Sequence, residues 1–567
     1  MQNGDFMNGI DIKVVALIII ALVIAVYVFI DGENKRKKKI VNKLKKGWGQ
    51  IPERKYSAEE YENITHYFRK CEKTEDIDDI TWNDLGMDSV FKLINNTNSS
   101  VGEEYLYRRL RQPATAKDDL VQFDSLCEKF ASKDKERLEI QKIFVWLGRT
   151  KRISVTDYVD LIFDFRTDNN LVNYLSGILI LAAILVLILV TPVIGIWLVI
   201  AAIAFSIITY YRQKARAEKY FVCINQIVKM LMVSQKISDK KYEFLSEYTD
   251  KLEKICKSFS KITKNAWLIE SGNVDGSLME MLLDYLRMLT HVDLIKFNNM
   301  CKLLGNRNEE LYEMIDTLGF IESAISVASF RQMLPYWCRP EFTESGKCNI
   351  KVDELFHPLI KNPVSNSINT NRNVLLTGSN ASGKSTFLKS VAINCILSQT
   401  IYTSTSKKYI APMFRIYSSM ALKDDLGNSD SYYIVEIKSL KRILDAIDNT
   451  GMPVICFIDE VLRGTNTVER IAASSEILKS LKNKNALCFA ATHDIELTTL
   501  LSYEYDNYHF QEEVTDDDVK FNYKLYKGPT TTRNAIKLLK VMGYNKDIVD
   551  SAENRANMFL NKGTWNS

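Results

Sequence analysis

"LLTGSNASGKST" occupies residues 375–386, and its reading decides the fold of the carboxyl-terminal part of the chain. An apolar strand end runs into a loop in which Gly378, Ser379, Asn380, Ala381, Ser382, Gly383, Lys384 and Ser385 fit the pattern G-x-x-x-x-G-K-[ST]. The glycines let backbone N–H groups crowd around phosphate, and a helix from Lys384 onward directs its positive dipole end into the loop. Lys384 is then expected at the β- and γ-phosphates and the Ser385 hydroxyl on Mg²⁺, with Thr386 completing the contact set. An ordinary strand–turn–helix shares this outline, so the motif needs partners.

Two partners follow in the chain. "VICFIDE" (454–460) is an apolar strand closed by two carboxylates, at the end where the ligand crevice of an open α/β sheet lies. Asp459 is expected to hold Mg²⁺ and Glu460 to polarise the attacking water as general base. "LCFAATHD" (487–494) is a second apolar strand, ending at His493, which suits a contact to the γ-phosphate. From about Cys348 onward, short apolar strands alternate with helical stretches. Strands are expected at Val374–Thr377, Val454–Ile458 and Ala486–Ala491, which predicts a mainly parallel sheet with helices on its faces.

The rest of the 567 residues has a different texture. Thr81–Phe165 reads as helical. In "VGEEYLYRRLRQP" (101–113), Val101, Tyr105, Leu106 and Leu110 share one face and Pro113 ends the helix. Tyr56–Asp79 is polar and reads as a connector, and Ala217–Arg331 reads as long helices broken most clearly at "SGNVDGS" (271–277). Three apolar stretches bear on a membrane. Val14–Ile30 is unbroken, near the lower limit of about 17 residues for a spanning helix, and is followed by eight Lys or Arg between Asp31 and Lys46. Leu171–Tyr211 reads as two spanning helices that break around Thr191-Pro192 to Gly195, with "RQKARAEK" (212–219) after them; a buried core hairpin is the other reading. The positive-inside rule puts the amino terminus outside and the remaining chain on the cytoplasmic face of the cell membrane. The net charge of +4 does not argue for nucleic acid, and the ten scattered cysteines, with no C-x-x-C pair, exclude the commonest zinc spacings.

"DEVLRGTNTVER" (459–470) resembles the acidic strand end and adjoining loop of the MutS family, and "MALKDDLGNSDSYYIVEIKSLKRIL" (420–444) resembles its signature segment. "TWNDLGMDSVFKLINNTNSSVGEEYLYRRLRQP" (81–113) is similar to the opening of that family's core, "WCRPEFTESGKCNIKVDELFHPLI" (337–360) to the junction with its ATPase, and "YKLYKGPTTTRNAIKLLKVMGY" (523–544) to the segment after the His loop. The resemblance implies an ATP hydrolase of the ABC type with ATP and Mg²⁺, two heads closing over two nucleotides, and Ser431 of one chain reaching the ATP of its twin. It also brings DNA binding and mismatch repair as expectations of the family. The chain departs from the family in several ways. Little room precedes Thr81 for a mismatch-reading domain, "FQEE" (510–513) imitates a mismatch probe only by chance, and Asp430 and Tyr432 alter the signature.

The expected organisation is therefore multi-domain. It comprises a transmembrane anchor at 1–30, a basic connector at 31–80, an all-α core at 81–340 interrupted by a transmembrane hairpin at 171–211, and an ABC-type α/β ATPase domain at 341–567. The expected protein is a membrane-anchored, ATP-driven dimer switch, with DNA as one candidate ligand. The alternative is an ATP-driven membrane machine or partner-recruiting switch that does not touch DNA.

Overall fold

The computed structural model describes residues 12–150, 153–165, 169–263, 278–305, 307–343, 348–379, 382–420, 432–462, 465–482, 484–514, 519–530 and 535–562. The break expected at 271–277 and the residues Asn380, Ala381, Asp430 and Ser431 lie outside them.

The first helix, Ile12–Gly47, carries the apolar stretch and the basic run without interruption, so the division at residue 30 falls inside one helix. The polar stretch after it is no connector. Helix Ala58–Cys71 begins at a capping box in which Ser57 and Glu60 satisfy each other's free backbone N–H, and it buries Ile64, Tyr67 and Phe68. The Ser-x-x-Glu signal was there to be read; the polar composition hid it. Helix Asp79–Asp84, opened by Asp78, straddles the division at residue 80.

The core is built around helix Asn308–Met333, which is buried on nearly all sides from Leu311 to Arg331. Small residues let its neighbours approach. A Cβ on Gly319 would sit 2.4 Å from Tyr105 Cβ, and one on Gly102 would sit 2.2 Å from the Glu322 carboxylate. Helix Ser100–Arg111 therefore packs directly against it, burying Val101, Leu106 and Leu110 as their spacing predicts, but also Glu103, Glu104, Arg109 and Arg111. The two arginines reach exposed carboxylates at the rim: Arg111 meets Asp79 at 2.7 Å and Arg109 meets Asp119 at 2.8 Å.

Among the described residues, two helices are long and apolar enough to cross a membrane by length and composition, Leu171–Leu189 and Pro192–Ser238. The chain turns between them at Val190-Thr191, and Pro192 opens the second helix, where its missing N–H is no loss. Gly195 is not part of the turn, contrary to expectation. It lies inside the second helix, where a Cβ would come within 2.3 Å of Leu187 Cα, so its role is close helix contact. That second helix continues for 47 residues, about 70 Å, from the exposed apolar hairpin into the buried core at Phe221–Ser238.

The carboxyl-terminal part holds two sheets. The smaller is mixed, in the order Glu341–Phe342, Lys408–Ala411, Ile350–Leu355, Asn366–Thr370. The larger has six strands in the order Val519–Lys527, Tyr505–Val514, Asn373–Thr377, Ala486–Ala491, Val454–Asp459, Arg415–Ser419. All its pairings are parallel except the edge pair 505–514 with 519–527. This is the mainly parallel sheet the alternation predicts, with an antiparallel edge hairpin that the alternation did not reveal.

Buried contacts join the core to the sheet domain. Arg331, at the end of the central core helix, pairs with Asp124 at 2.6 Å and donates to the carbonyls of Ile401 and Tyr402, where the helix after the glycine loop ends. Asp84 accepts from Ser418 Oγ at 2.7 Å and Met420 N at 2.9 Å, and Ser418 N donates to Thr81 Oγ1. Arg442, on helix Tyr432–Asn449, reaches Asp78 at 2.6 Å. Helix Asp79–Asp84 and its cap thus clamp both strand Arg415–Ser419, which precedes the signature segment, and helix Tyr432–Asn449.

Candidate nucleotide site

The sheet order places Ala486–Ala491 between the strand that feeds the glycine loop and the strand that ends in carboxylates. Leu376, Ala491 and Asp459 lie in register across the three strands. Two strand spacings, about 10 Å, therefore separate the loop from the acid pair, and His493 emerges between them.

The loop's conformation depends on its glycines. Gly378 has φ 141°, and a Cβ there would lie 2.6 Å from the Phe510 carbonyl oxygen. Gly383, at φ 112°, precedes helix Lys384–Ile401, whose free N–H groups point back at the loop. Lys384 folds its ammonium over the loop, donating to the carbonyls of Gly378 and Ser379 at 2.8 Å each. Ser382 is buried, and its Oγ has no hydrogen-bond partner among the described residues. A buried hydroxyl left unsatisfied is uncommon in a native fold. A phosphate oxygen in the cradle would supply its acceptor.

Across the crevice, Asp459 closes its strand and is buried, while Glu460 turns out of the sheet with φ 61°, a left-handed conformation rarely adopted by a side chain of this kind. Its backbone N–H still bonds Ala491 O at 2.9 Å, so the strained residue is held by the sheet while its carboxylate is released toward the crevice. His493 Nε2 stands 2.8 Å from Glu460 Oε1. Behind the pair, Arg470 grips Asp494 through two hydrogen bonds of 2.6 and 2.9 Å, tying the helix after the acid pair to the residue after the histidine.

Ser379, Gly383, Lys384, Ser385, Thr386 and Glu460 all line one cavity of about 490 Å³. Its other walls lie outside the three strand-end motifs: Leu355, His357 and Val364 from the smaller sheet and its loop, and Phe510 and Tyr523 from the edge hairpin. Burial, with Lys389 nearby, holds His357 down at about 4. Its Nδ1 accepts from Leu359 N at 3.3 Å, which leaves a neutral ring with its proton on Nε2. The wall thus mixes charged and polar groups with aromatic and aliphatic surface, and Tyr523 and Phe510 stand against Gly383 of the loop itself. "FHPLI" (356–360) lay within a stretch already noted, but no spacing rule links it to a loop twenty residues away. Phe510 of "FQEE" belongs to the cavity wall, where it packs on Phe387 with ring centroids 5.9 Å apart.

The chemistry of the donors suits magnesium: a hydroxyl at Ser385 and a carboxylate at Asp459 are both hard oxygen ligands. No cluster of three or more His, Cys, Asp or Glu that could hold a metal on protein ligands alone occurs among the described residues.

Residues 374–560 match the family described as MutS domain V. The chain is 30% identical over 298 residues to the MutS protein homolog 4 of Mus musculus, covering 49% of this chain and 30% of that protein. It is 29% identical over 281 residues to the DNA mismatch repair protein MutS of Thermotoga petrophila (48% and 34%). To the protein of the same name from Natronomonas pharaonis it is 26% identical over 269 residues (46% and 31%). In each case the match spans about a third of the relative's length.

Proposed function

This chain belongs to the MutS family through the domain at residues 374–560, and from that premise we propose that it is a membrane-held ATP hydrolase that works as a two-headed switch. The observation that carries the reading is the convergence of Lys384, Ser385 and Glu460 on one cavity, with His493 on Glu460 at 2.8 Å. In this reading the β- and γ-phosphates lie over the loop, held by backbone N–H groups, Ser382 and Lys384, whose ammonium leaves the loop carbonyls for phosphate oxygens. The base and ribose lie along the apolar part of the wall, against His357 and Val364. Ser385 and Asp459 would hold Mg²⁺, which supplies charge neutralisation across the phosphates. Glu460 orients and polarises a water for in-line attack on the γ-phosphorus, and the His493 Nε2–H, which holds the carboxylate here, turns to a γ-phosphate oxygen when ATP is bound.

Ser431 in trans, a homodimer closed by two ATPs and a cytoplasmic position of the heads belong to the same proposal. Support for a membrane comes from the exposed apolar hairpin, whose second helix runs unbroken into the buried core. Head closure would reach that hairpin through the Arg331–Asp124 joint and the central core helix. DNA is proposed as a ligand because relatives are named for mismatch repair. A switch acting on a membrane partner without DNA is the second reading, favoured by that hairpin.

Glu460→Gln tests the hydrolase. Turnover should fall by about 100-fold or more while ATP binding is retained; unchanged turnover would remove Glu460 as base. DNA is tested by affinity of the detergent-solubilised protein against salt, with a steep fall expected as salt rises. A flat response, or no binding, leaves the second reading.

A further inference from the structure

Glu512 stands directly behind the phosphate loop. It is buried on the strand Tyr505–Val514, which runs parallel to the strand feeding the loop, with His509 opposite Thr377. Its Oε2 accepts a hydrogen bond of 2.7 Å from Ser379 Oγ. The same serine offers its carbonyl to Lys384 at 2.8 Å. A single loop residue therefore joins a buried carboxylate to the lysine expected on the phosphates. An anion so close to a phosphate cradle, and screened from water, repels each phosphate group that enters. A neutral side chain could support Ser379 equally well through a hydrogen bond.

We propose that Glu512 is an electrostatic counterweight in the nucleotide site: its carboxylate weakens binding in proportion to the phosphate charge of the ligand and so speeds release of the nucleotide. The proposal rests on the ATP reading above. It predicts an effect ordered by charge, which a residue that merely props up the loop would not produce.

The test uses the full-length detergent-solubilised chain and equilibrium titration with the magnesium complexes of ADP and a non-hydrolysable ATP analogue, and with AMP. Glu512→Gln should tighten the ATP analogue by about tenfold, ADP by less, and AMP by no more than about twofold. Glu512→Asp, which keeps the charge, should stay near the wild-type affinities. Equal changes for all three ligands, no change, or the same gain in both variants would overturn the counterweight. Lys384→Ala separates the two levels of inference. If the wild type binds no nucleotide, or binds it as Lys384→Ala does, the ATP reading itself is wrong. If the wild type binds ATP through Lys384 but Glu512→Gln is blind to charge, only the counterweight is lost.

Discussion

The helical core and the sheet crevice both bury charged groups, and they use them in opposite ways. In the core, two of the buried carboxylates are closed on partners, although Glu104 Oε2 and Arg111 Nε have none among the described residues. Glu322 accepts from the backbone N–H groups of Asn98 and Ser99 and from the Ser99 hydroxyl, while Asp124 is held between Arg331 and Arg339 at 2.6 and 2.7 Å. In the crevice the polar groups converge on a cavity. Ser379, Lys384, Ser385 and Glu460 line its wall, and Glu460 adopts a left-handed backbone beside the opening. Groups that are satisfied internally hold helices in register; groups aimed into open volume have interactions left for a ligand. The difference separates stability from chemistry, and each prediction below challenges that separation.

The largest effect is expected at the core joint. Asp124→Ala leaves Arg331 charged and buried without its carboxylate, which should cost about 3–5 kcal/mol. The denaturant midpoint checks this, and Glu460→Gln measured alongside should leave the midpoint unmoved although it stops turnover. A core substitution that spared stability, or a crevice substitution that lost it, would break the comparison.

Glu322 gives a second test, through pH. Burial, opposed by the Ser99 and Asn98 hydrogen bonds, raises its carboxyl from the ordinary 4.5 to about 7. The folded state therefore holds this proton more tightly than the unfolded chain. Its contribution is fully present below about pH 4.5 and is lost as pH rises through about 7, on the order of 3 kcal/mol in all. Glu322→Gln keeps the shape and should flatten that part of the stability curve. An unchanged slope between pH 4.5 and 7 would assign the dependence to other groups.

The smallest effect is expected at the clamp. Asp84→Ala strips the acceptor from Ser418 Oγ and Met420 N, at about 1–3 kcal/mol. Because the clamp bears on the strand leading to the signature segment, turnover should fall while nucleotide affinity stays within about twofold. Equal losses of affinity and turnover would mean that the clamp supports the whole sheet domain and not the signature alone.

The parts of this molecule legible in its sequence are those whose physics is local. The loop from Gly378 to Ser385, the carboxylates after "VICFI" and the histidine after "LCFAAT" each sit within a few residues of the strand that carries them, so spacing alone located them. A polar composition hid the helix at Ala58–Cys71, and a proline drew the hairpin turn to include Gly195, which packs inside a helix instead. Both errors came from reading residue type without its neighbour in space.

Sequence by itself determined the chemistry available at the strand ends, the parallel alternation of strands and helices, and the apolar stretches, because each is set by periodicity or spacing along the chain. Tertiary structure alone decided which distant groups meet. It put Glu512 on Ser379, 133 positions away, closed Glu322 on Ser99 across 223, and tied Arg331 to the end of the loop helix. The reason is physical. A buried charge has no stable meaning until its partner or its cavity is known, and only the folded chain supplies either.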